Sequence, residues 1–397
     1  MREPELAPVA TLRAGSDADG VGADDAGGIC PAVPGQPRGA VRGGGAWADG
    51  LVPPAGQQNA DSAAVSGGGQ YPSGGGGADG GLVRPAGGVG ADGGPRFDTH
   101  VAQGGYVWWY VDALSDDGQH GLTIIAFLGS VFSPYYAWAR RGGGGDPLRH
   151  VCLNVALYGR PRRWAMTERS VGALQRGPDH LVLGPSALRW RDGALEITVA
   201  ERGAPIPRRI RGTILVEPLA LTRRSFALDA QARHRWSPMA PSCRVSVRLT
   251  APDLSWSGRG YLDSNEGDRA LEQDFRCWDW CRATDGPGAA IVYDAVRRDG
   301  SAHCLALRIG ADGVVDSFAP PARAALPPSL WRVPRQVRAE APRLLRTLED
   351  APFYNRSVLE VGLFGRRLMA VQESLALPRF TSPVVQAMLP FRMPRRW

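Results

Sequence analysis

The stretch that decides the fold lies between His234 and Glu266 and contains three segments. They read His-Arg-Trp at 234–236, Arg-Val-Ser-Val-Arg-Leu at 244–249 and Trp-Ser-Gly-Arg-Gly-Tyr-Leu-Asp-Ser-Asn-Glu-Gly at 256–267. The middle segment predicts a strand, and the flanking ones combine a carboxyl, an imidazole, a phenol and an indole. A carboxyl beside aromatic faces is poorly solvated, so its pKa rises and it can hold a proton near neutral pH. Aromatic rings also stabilise a nearby cation, so the mixture suits proton transfer beside a large apolar ligand.

Outward from this stretch, the chain consists of short strand patterns separated by turn signals. Tyr106-Val-Trp-Trp-Tyr-Val-Asp-Ala-Leu and Leu122-Thr-Ile-Ile-Ala-Phe-Leu flank a Ser-Asp-Asp-Gly-Gln turn, which predicts a hairpin. Similar apolar runs recur roughly every ten residues, and long amphipathic helices are not evident. This spacing is typical of β-barrels and sandwiches. We therefore predict an all-β fold with two consecutive antiparallel β-barrel domains.

Composition divides the chain into four segments. Residues 1–95 are rich in glycine, and half of the 52 glycines lie in the first 100 residues. Few large apolar side chains occur there to offset the entropy of ordering, so this segment is predicted to be disordered. The two β domains are predicted at 96–225 and 226–377. The basic and apolar tail at 378–397 has two open interpretations, which are contact with a membrane surface and packing on its own domain.

The basic character of the chain comes from arginine alone. The 397 residues include 46 basic side chains, all of them Arg, and 39 acidic ones, for a formal net charge of +7. The arginines are scattered and no DNA- or RNA-binding motif occurs, so no nucleic-acid partner is expected. If the charge contributes to binding, anionic lipid is the favoured partner. No apolar run reaches the ~18 residues that span a bilayer as a helix.

The cysteines are dispersed, and they lie at Cys30, Cys152, Cys243, Cys277, Cys281 and Cys304. Because the N-terminus has no apolar signal core, reduced thiols in a cytoplasmic compartment are predicted. Cys277-Trp-Asp-Trp-Cys281 lacks a second pair at zinc-site spacing. In a strand, Trp278 and Trp280 share one face, so burial of two indoles is favoured over a metal site.

Seven long motifs follow one another between about residues 97 and 377. They are Phe97-Asp-Thr-His-Val-Ala-Gln-Gly-Gly-Tyr-Val-Trp-Trp-Tyr-Val-Asp-Ala-Leu-Ser-Asp-Asp-Gly, Phe132-Ser-Pro-Tyr-Tyr-Ala-Trp-Ala-Arg, Asn154-Val-Ala-Leu-Tyr-Gly, Trp164-Ala-Met-Thr-Glu-Arg, His234-Arg-Trp-Ser-Pro, Gly260-Tyr-Leu-Asp-Ser-Asn-Glu-Gly and Thr347-Leu-Glu-Asp-Ala-Pro-Phe-Tyr-Asn-Arg-Ser. In this order they closely resemble the carotenoid 1,2-hydratases (hydroxyneurosporene synthases) of purple phototrophic bacteria. The glycine-rich segment falls outside the resemblance.

The resemblance implies a lipocalin-like β fold in two parts and a reaction that uses no cofactor and no metal. In that reaction, water adds across the terminal C1=C2 bond of an acyclic carotenoid such as neurosporene or lycopene, giving a 1-hydroxy carotenoid. The implied partners are the acyclic carotenoid, water and the membrane lipid surface. Because the substrate resides in lipid, the expected location is peripheral, on the cytoplasmic side of the inner photosynthetic membrane.

Four residues in the matching motifs are the candidate catalytic set. Asp263 is predicted to donate the proton to C2, and Tyr261 to hydrogen-bond Asp263 or stabilise the cation. Trp236 is predicted to turn its ring toward the cation, and His234 to orient or deprotonate the water. Each also has a structural interpretation, as a turn aspartate, a strand-end histidine or a core aromatic. Four further carboxylates are candidate partners of the acid, and the sequence does not rank them: Asp112, Glu168, Glu266 and Asp350. Five aromatic residues are candidates for lining the channel that holds the polyene: Tyr106, Trp108, Trp109, Tyr135 and Tyr136.

Two other functions remain open from the residues alone. A lipocalin-like barrel often only binds its ligand, so the chain can be a carotenoid carrier. An acid-catalysed isomerase or cyclase of the same barrel type also needs an acid and aromatic rings, and differs in whether water captures the cation. The proton donor argues for catalysis, because a carrier has no need of one inside its pocket.

Overall fold

A computed structural model describes residues 86–396 of the chain. Residues 1–85 of the glycine-rich segment lie outside the described residues, so the prediction of disorder is not addressed there. Within 86–396, antiparallel β-strands dominate and the helices are short, which confirms the all-β prediction.

Strands make up nearly all of the first part of the described chain. They are β1 (Tyr106–Ser115), β2 (Gly121–Leu128), β3 (Val151–Tyr158), β4 (Arg163–Arg169), β5 (Leu174–Arg176), β6 (His180–Leu183), β7 (Ser186–Arg191), β8 (Ala194–Arg202), β9 (Arg209–Pro218), β10 (Phe226–Ala227), β11 (His234–Ala251) and β12 (Asp253–Gly267). One helix, α1 (Pro134–Arg141), interrupts them, with the Ser133 side chain capping its first amides.

The remaining part contains shorter strands and three further short helices. The strands are β13 (Phe275–Asp285), β14 (Gly288–Arg297), β15 (Ala302–Ile309), β16 (Val315–Ser317), β17 (Arg323–Ala325), β18 (Gln336–Arg338), β19 (Glu340–Asp350), β20 (Tyr354–Leu363), β21 (Arg366–Ala376) and β22 (Arg395–Arg396). The helices are α2 (Leu271–Asp274), α3 (Leu377–Phe380) and α4 (Pro383–Arg392).

Two large sheets organise these strands. The first has the order β22-β4-β3-β2-β1-β12-β11-β9-β8-β7-β6-β5, with β10 paired to β11. The second has the order β16-β15-β14-β13-β21-β20-β19, and β17 pairs with β18 separately. The register of β11 against β12 shifts between Ser237 and Cys243, where Pro238 and Pro241 have no N–H to donate.

The change of sheet lies later in the chain than the predicted domain boundary between residues 225 and 226. Strands β11 and β12 follow that boundary, yet they pair with β9 and β1 of the first sheet. The second sheet begins only at Phe275. Local alternation identifies a strand but carries no information about its pairing partner, so the sequence did not indicate that β11 and β12 pair with the first sheet.

Strand β1 separates two hydrophobic cores. Val107, Trp109 and Val111 belong to the core of the first sheet, whereas Tyr106 and Trp108 belong to a second core between the two sheets. Since successive side chains of a strand point to opposite faces, both faces of β1 are buried. This double burial explains the uninterrupted aromatic and apolar sequence of the strand.

Both ends of the described chain pack on the first sheet. The carbonyl of Gly88 accepts a hydrogen bond of 2.9 Å from the Trp109 indole, and Ala86 is buried, so residues 86–95 differ from the predicted disorder. At the other end, β22 pairs with β4 in parallel. The tail buries one set of side chains: Phe380, Val385, Leu389 and Met393. The tail therefore packs on its own fold, while Val384, Met388 and Phe391 form a second face of α4 that stays exposed.

The cysteine prediction is confirmed in part. Cys152, Cys243, Cys281 and Cys304 are free thiols, as predicted, and the prediction for Cys30 lies outside the described residues. Among residues 86–396, no group of three or more His, Cys, Asp or Glu is arranged to hold a metal ion. The two indoles of this motif are buried on one face, as predicted.

Candidate active site

A cavity of about 610 Å³ lies between the two sheets. Strands of the first sheet form one wall, and β13, β14, β20 and β21 of the second sheet form the other, with α4 along one side. Eleven aromatic side chains contribute to the lining: Trp108, Tyr110, Phe132, Tyr158, Trp164, Trp278, Trp280, Tyr293, Trp331, Phe353 and Tyr354. Apolar walls of this extent suit a large apolar ligand.

The cavity runs from a buried inner end to an exposed mouth. Asp263 lines the inner end, where Trp278, Trp280 and Tyr293 are also buried. The mouth is formed by exposed residues, namely Arg162, Trp331, Met388 and Arg392.

Asp263 is a buried carboxyl group that holds a proton near neutral pH. It lies on β12 directly opposite Tyr110 of β1, and its exposed fraction is 4%. Burial raises the pKa of Asp263 from 3.8 to about 8, although hydrogen bonds from Trp236 and Tyr261 act in the opposite direction. At pH 7 the group is therefore mostly a neutral acid, which is the form that donates a proton.

Two donors fix one oxygen of this carboxyl group. The indole N–H of Trp236 and the hydroxyl of Tyr261 each donate to Asp263 Oδ2 at 2.9 Å. Asn265 Nδ2 lies 3.5 Å from the other oxygen, Oδ1. Since Oδ2 already accepts two hydrogen bonds, the acidic proton of the neutral group resides on Oδ1.

Trp236 and Tyr261 contact Asp263 and do not reach the cavity. Both are fully buried, and neither lines the cavity. The cross-strand position of Trp236 beside Asn265 turns its indole N–H toward Asp263, and its role as a cation-facing ring stays a prediction. Trp278, Trp280 and Tyr293 do line the cavity, and the rings of Trp280 and Tyr293 lie 5.3 Å and 5.4 Å from those of Tyr261 and Trp236.

His234 lies behind the cavity wall and is fully buried. Its Nε2 is 2.8 Å from Asp274 Oδ2, and its Nδ1 is 2.9 Å from the Tyr106 hydroxyl. A carboxylate only accepts, so Nε2 carries the hydrogen and Nδ1 accepts from Tyr106. Burial lowers the pKa of His234. Both ring nitrogens thus contact protein side chains and His234 does not line the cavity, so its role toward the attacking water stays a prediction.

The partner of His234 is itself strongly held. Burial acts to raise the pKa of Asp274, but hydrogen bonds from Arg269 and His234 outweigh it and lower the pKa to about 2. His234 therefore ties β11 to β1 through Tyr106 and to α2 through Asp274. Its place in the fold is that of a positioning residue at the inner end of the sheet.

The carboxylates that the sequence left unranked have other partners. Asp112 forms salt bridges of 2.7 Å with both Arg282 and Arg356. None of the four, all within the described residues, hydrogen-bonds Asp263. Glu168 contacts His150 and Arg395. Glu266 accepts hydrogen bonds from Arg235 and the Gly88 amide. Asp350 accepts hydrogen bonds from Ser329 and the Leu330 amide.

Sequence reasoning missed two carboxyl groups that line the cavity, Glu349 and Glu373. Glu373 stands in the run Met369-Ala-Val-Gln-Glu-Ser-Leu-Ala, where an acid interrupts an apolar strand. That interruption was the available signal. Of the five predicted channel aromatics, Trp108 lines the cavity, whereas Trp109 packs on the opposite face of β1.

Comparison with known proteins gives the family. The family model described as carotenoid hydratase CrtC matches residues 124–397. The chain belongs to the carotenoid hydratase family. Two acyclic carotenoid 1,2-hydratases are among its relatives. The protein of Thiocapsa roseopersicina is 52% identical over 94% of this chain and 93% of its own length. The protein of Rubrivivax gelatinosus is 50% identical over 94% of each chain.

Among solved structures, an AttH-type protein of Nitrosomonas europaea aligns with this carotenoid hydratase family member at a TM-score of 0.48 and 16% identity. The alignment covers 68% of this chain and 92% of the other. The four candidate residues of the carotenoid hydratase, Asp263, Tyr261, Trp236 and His234, all fall within the matched range.

Proposed function

We propose that this chain is an acyclic carotenoid 1,2-hydratase, a hydro-lyase that adds water across the terminal C1=C2 bond of substrates such as neurosporene or lycopene. One observation carries the proposal beyond family membership. A carboxyl group with its pKa raised to about 8 lies at the buried end of a large aromatic cavity. Such a group can protonate an alkene that the cavity holds against it.

The first chemical step is proton transfer from Asp263. The Oδ1–H bond breaks, a C–H bond forms at C2, and a tertiary cation develops at C1. The rings of Trp278, Trp280 and Tyr293 face this region and stabilise the cation through their π faces. Water then bonds to C1 and loses a proton, which gives the 1-hydroxy product. Hydration is redox-neutral, so the proposal includes no cofactor.

Trp236 and Tyr261 allow Asp263 to release its proton. After proton transfer, Asp263 becomes a buried carboxylate, and their two hydrogen bonds to Oδ2 stabilise that charge. Without them, the charged form in this apolar site is too costly for rapid proton donation. His234 supports the same wall through Tyr106.

The direct test is incubation with lycopene in liposomes and H₂¹⁸O, without added cofactors. A 1-hydroxy product that carries ¹⁸O is the expected result, detected by chromatography and mass spectrometry. Bound but unchanged lycopene would favour the carrier function. An isomerised or cyclised product without ¹⁸O would favour the isomerase or cyclase.

The pH dependence of activity follows from Asp263. Because the acid must be protonated, kcat/KM is expected to fall as the pH rises through about 8. Replacing Tyr261 by Phe removes one donor to the carboxylate, so the pKa of Asp263 rises further and the alkaline limb moves to higher pH. The same change is expected to lower kcat by about 10- to 100-fold, the worth of one charge-assisted hydrogen bond.

Tyr158→Phe is the matched control for this pH experiment. Tyr158 is a buried tyrosine of the same cavity, and it hydrogen-bonds to Thr123 and Glu349 instead of to Asp263. Its alkaline limb should stay at the wild-type position. An unmoved limb in Tyr261→Phe would contradict the role of Tyr261.

We further propose that the protein works at a lipid surface, bound peripherally on the cytoplasmic side of the inner photosynthetic membrane. No helix among the described residues is long and apolar enough to cross a bilayer. Supporting the proposal, Val384, Met388 and Phe391 lie at helical spacing on α4 and are 68%, 39% and 73% exposed. Leu330 and Trp331 are also exposed beside the mouth. Exposed apolar side chains around the entrance suit a substrate that arrives from lipid.

Loss of this surface is expected to uncouple binding to lipid from catalysis. The double change Val384→Ser and Phe391→Ser should reduce co-flotation with anionic liposomes and turnover of liposome-borne lycopene by roughly tenfold or more. Turnover of lycopene in detergent micelles should remain. Ile206→Ser removes an equally exposed apolar side chain from the β8–β9 turn and serves as control. Unchanged flotation of the double variant would contradict the proposed surface.

A further inference from the structure

Glu373 reaches the same cavity as Asp263, but from the second sheet. It lies on β21, between Trp280 of β13 and Arg356 of β20 in the register of the sheet. Its side chain is 14% exposed and lines the cavity. One carboxylate oxygen, Oε1, accepts a hydrogen bond from Arg356 and another of 2.8 Å from the Tyr110 hydroxyl.

Tyr110 connects the two carboxyl groups across the cavity. Its backbone is directly opposite Asp263 in the first sheet, while its hydroxyl donates to Glu373 in the second. Trp280, the strand neighbour of Glu373, brings its ring to 5.3 Å from the ring of Tyr261, which bonds Asp263. Consistent with this proximity, the charge of Glu373 helps to raise the pKa of Asp263.

We propose that Glu373 is the general base that takes the proton from the attacking water, opposite the acid Asp263. The proposal rests on the hydration reaction proposed above. Asp263 gives its proton to C2, water forms the new O–C1 bond, and one O–H bond of that water breaks as its proton passes to Glu373. The cycle closes when a proton returns from Glu373 to Asp263 through solvent. Overall, one alkene and one water molecule are consumed and one alcohol is formed.

The salt bridge with Arg356 does not disqualify Glu373 as a base. Water bonded to a tertiary carbocation is an extremely strong acid, so a weakly basic carboxylate is sufficient to accept its proton. The Glu373 carboxylate carries its negative charge beside its ion-pair partner Arg356. That negative charge, aimed into the cavity, adds electrostatic stabilisation of the cation.

The other groups near the inner end are less suited. His234 has both nitrogens engaged by Tyr106 and Asp274. Glu349 also lines the cavity, but its partner Tyr158 belongs to β3, which is separated from β12 by β2 and β1. If Asp263 itself recovered the proton, hydrogen and hydroxyl would enter the alkene from the same face. With Glu373 on the facing wall, they enter from opposite faces.

The test separates protonation of the alkene from its capture by water. Glu373→Gln, Asp263→Asn and the wild-type protein are each incubated with lycopene liposomes in D₂O, and both the hydrated product and the recovered substrate are analysed by mass spectrometry. For Glu373→Gln, hydration is expected to fall by about 10²- to 10⁴-fold, the usual contribution of a general base. Recovered lycopene should still gain deuterium, because the cation forms and then loses a proton again.

The remaining outcomes are equally decisive. Hydration by Glu373→Gln at the wild-type rate, or parallel loss of hydration and deuterium uptake, would overturn the role of Glu373. Deuterium uptake by Asp263→Asn would instead overturn the role of Asp263 as the acid, so the two failures are distinct. Glu349→Gln, another cavity carboxyl bonded to a tyrosine, should keep the wild-type ratio of exchange to hydration.

A conservative variant protects the test against misfolding. Glu373→Asp keeps the carboxylate and its charge opposite Arg356, so it is expected to fold even if the glutamine variant does not. Its shorter side chain should lower hydration while leaving a hydration-to-exchange ratio closer to that of wild type. Hydration and exchange that fall equally in Glu373→Asp would show a structural role and overturn the proposal.

Discussion

Replacing Asp263 by Asn is expected to reduce hydration of lycopene by on the order of 10³- to 10⁴-fold, the upper range for loss of a general acid. Asparagine has the same shape, and its oxygen can still accept from Trp236 and Tyr261. Its amide N–H groups are far too weakly acidic to protonate C2. Product formation per enzyme, measured by chromatography under single-turnover conditions, checks this. Turnover within tenfold of wild type would remove Asp263 from the mechanism.

The same substitution is expected to stabilise the fold above about pH 4. The pKa of Asp263 is raised from 3.8 to about 8 in the folded protein, so folding retains a proton that the unfolded chain releases. Stability is therefore lost as the pH rises from about 4 to about 8, by up to ~1.4 kcal/mol per pH unit. Asparagine does not titrate, so the variant lacks this loss. Urea unfolding of both proteins at several pH values measures the difference, which should grow toward pH 8.

A stability advantage for the inactive variant has a physical meaning. The wild-type protein keeps a protonated acid in an apolar site at a cost in folding free energy, because the reaction needs it. Equal stability of the two proteins at every pH would show that burial does not raise the pKa of Asp263 as far as the geometry implies.

Replacing Arg356 by Met is expected to destabilise the protein by about 3–5 kcal/mol, the typical effect of breaking a buried ion pair from one side. Arg356 is 1% exposed and is paired with both Asp112 and Glu373. Methionine fills much of the volume but leaves Glu373 without its arginine partner and Asp112 with Arg282 alone. The free energy of unfolding in urea, or the loss of soluble protein, measures the effect.

An exposed arginine provides the matched comparison. Arg343 pairs with Glu360 at 3.3 Å on the surface of the second sheet, with 66% of its side chain exposed. Such pairs contribute about 0–1 kcal/mol, so Arg343→Met should leave stability nearly unchanged. A loss of less than ~1 kcal/mol in Arg356→Met as well would mean that the buried network is not a stabilising link.

The buried network has a consequence for the cavity. Asp112 belongs to β1 of the first sheet, whereas Arg282 and Arg356 belong to β13 and β20 of the second. These ion pairs therefore join the two walls at a fixed separation. Because the proposed acid and base stand on opposite walls, the network that holds the sheets together also sets the distance between them.

The sequence alone predicted most of the fold class and the proposed acid. Alternation of apolar side chains identified the strands and their all-β character, since a period of two is a local property. Asp263 stood out because its aromatic neighbours in sequence predicted poor solvation, and the structure places Tyr261 and Trp236 on it. Local sequence also predicted the buried pair of indoles in β13.

Only the tertiary structure decided how these parts meet. Three features depend on contacts between residues far apart in sequence. They are the assignment of β11 and β12 to the first sheet, the hydrogen bond of His234 to Asp274, and the position of Glu373 in the cavity. A glutamate 110 positions after Asp263 gives no local sign that it lines the same cavity. Strand alternation specifies which face a side chain occupies, but which sheet lies opposite that face is set by long-range strand pairing and burial.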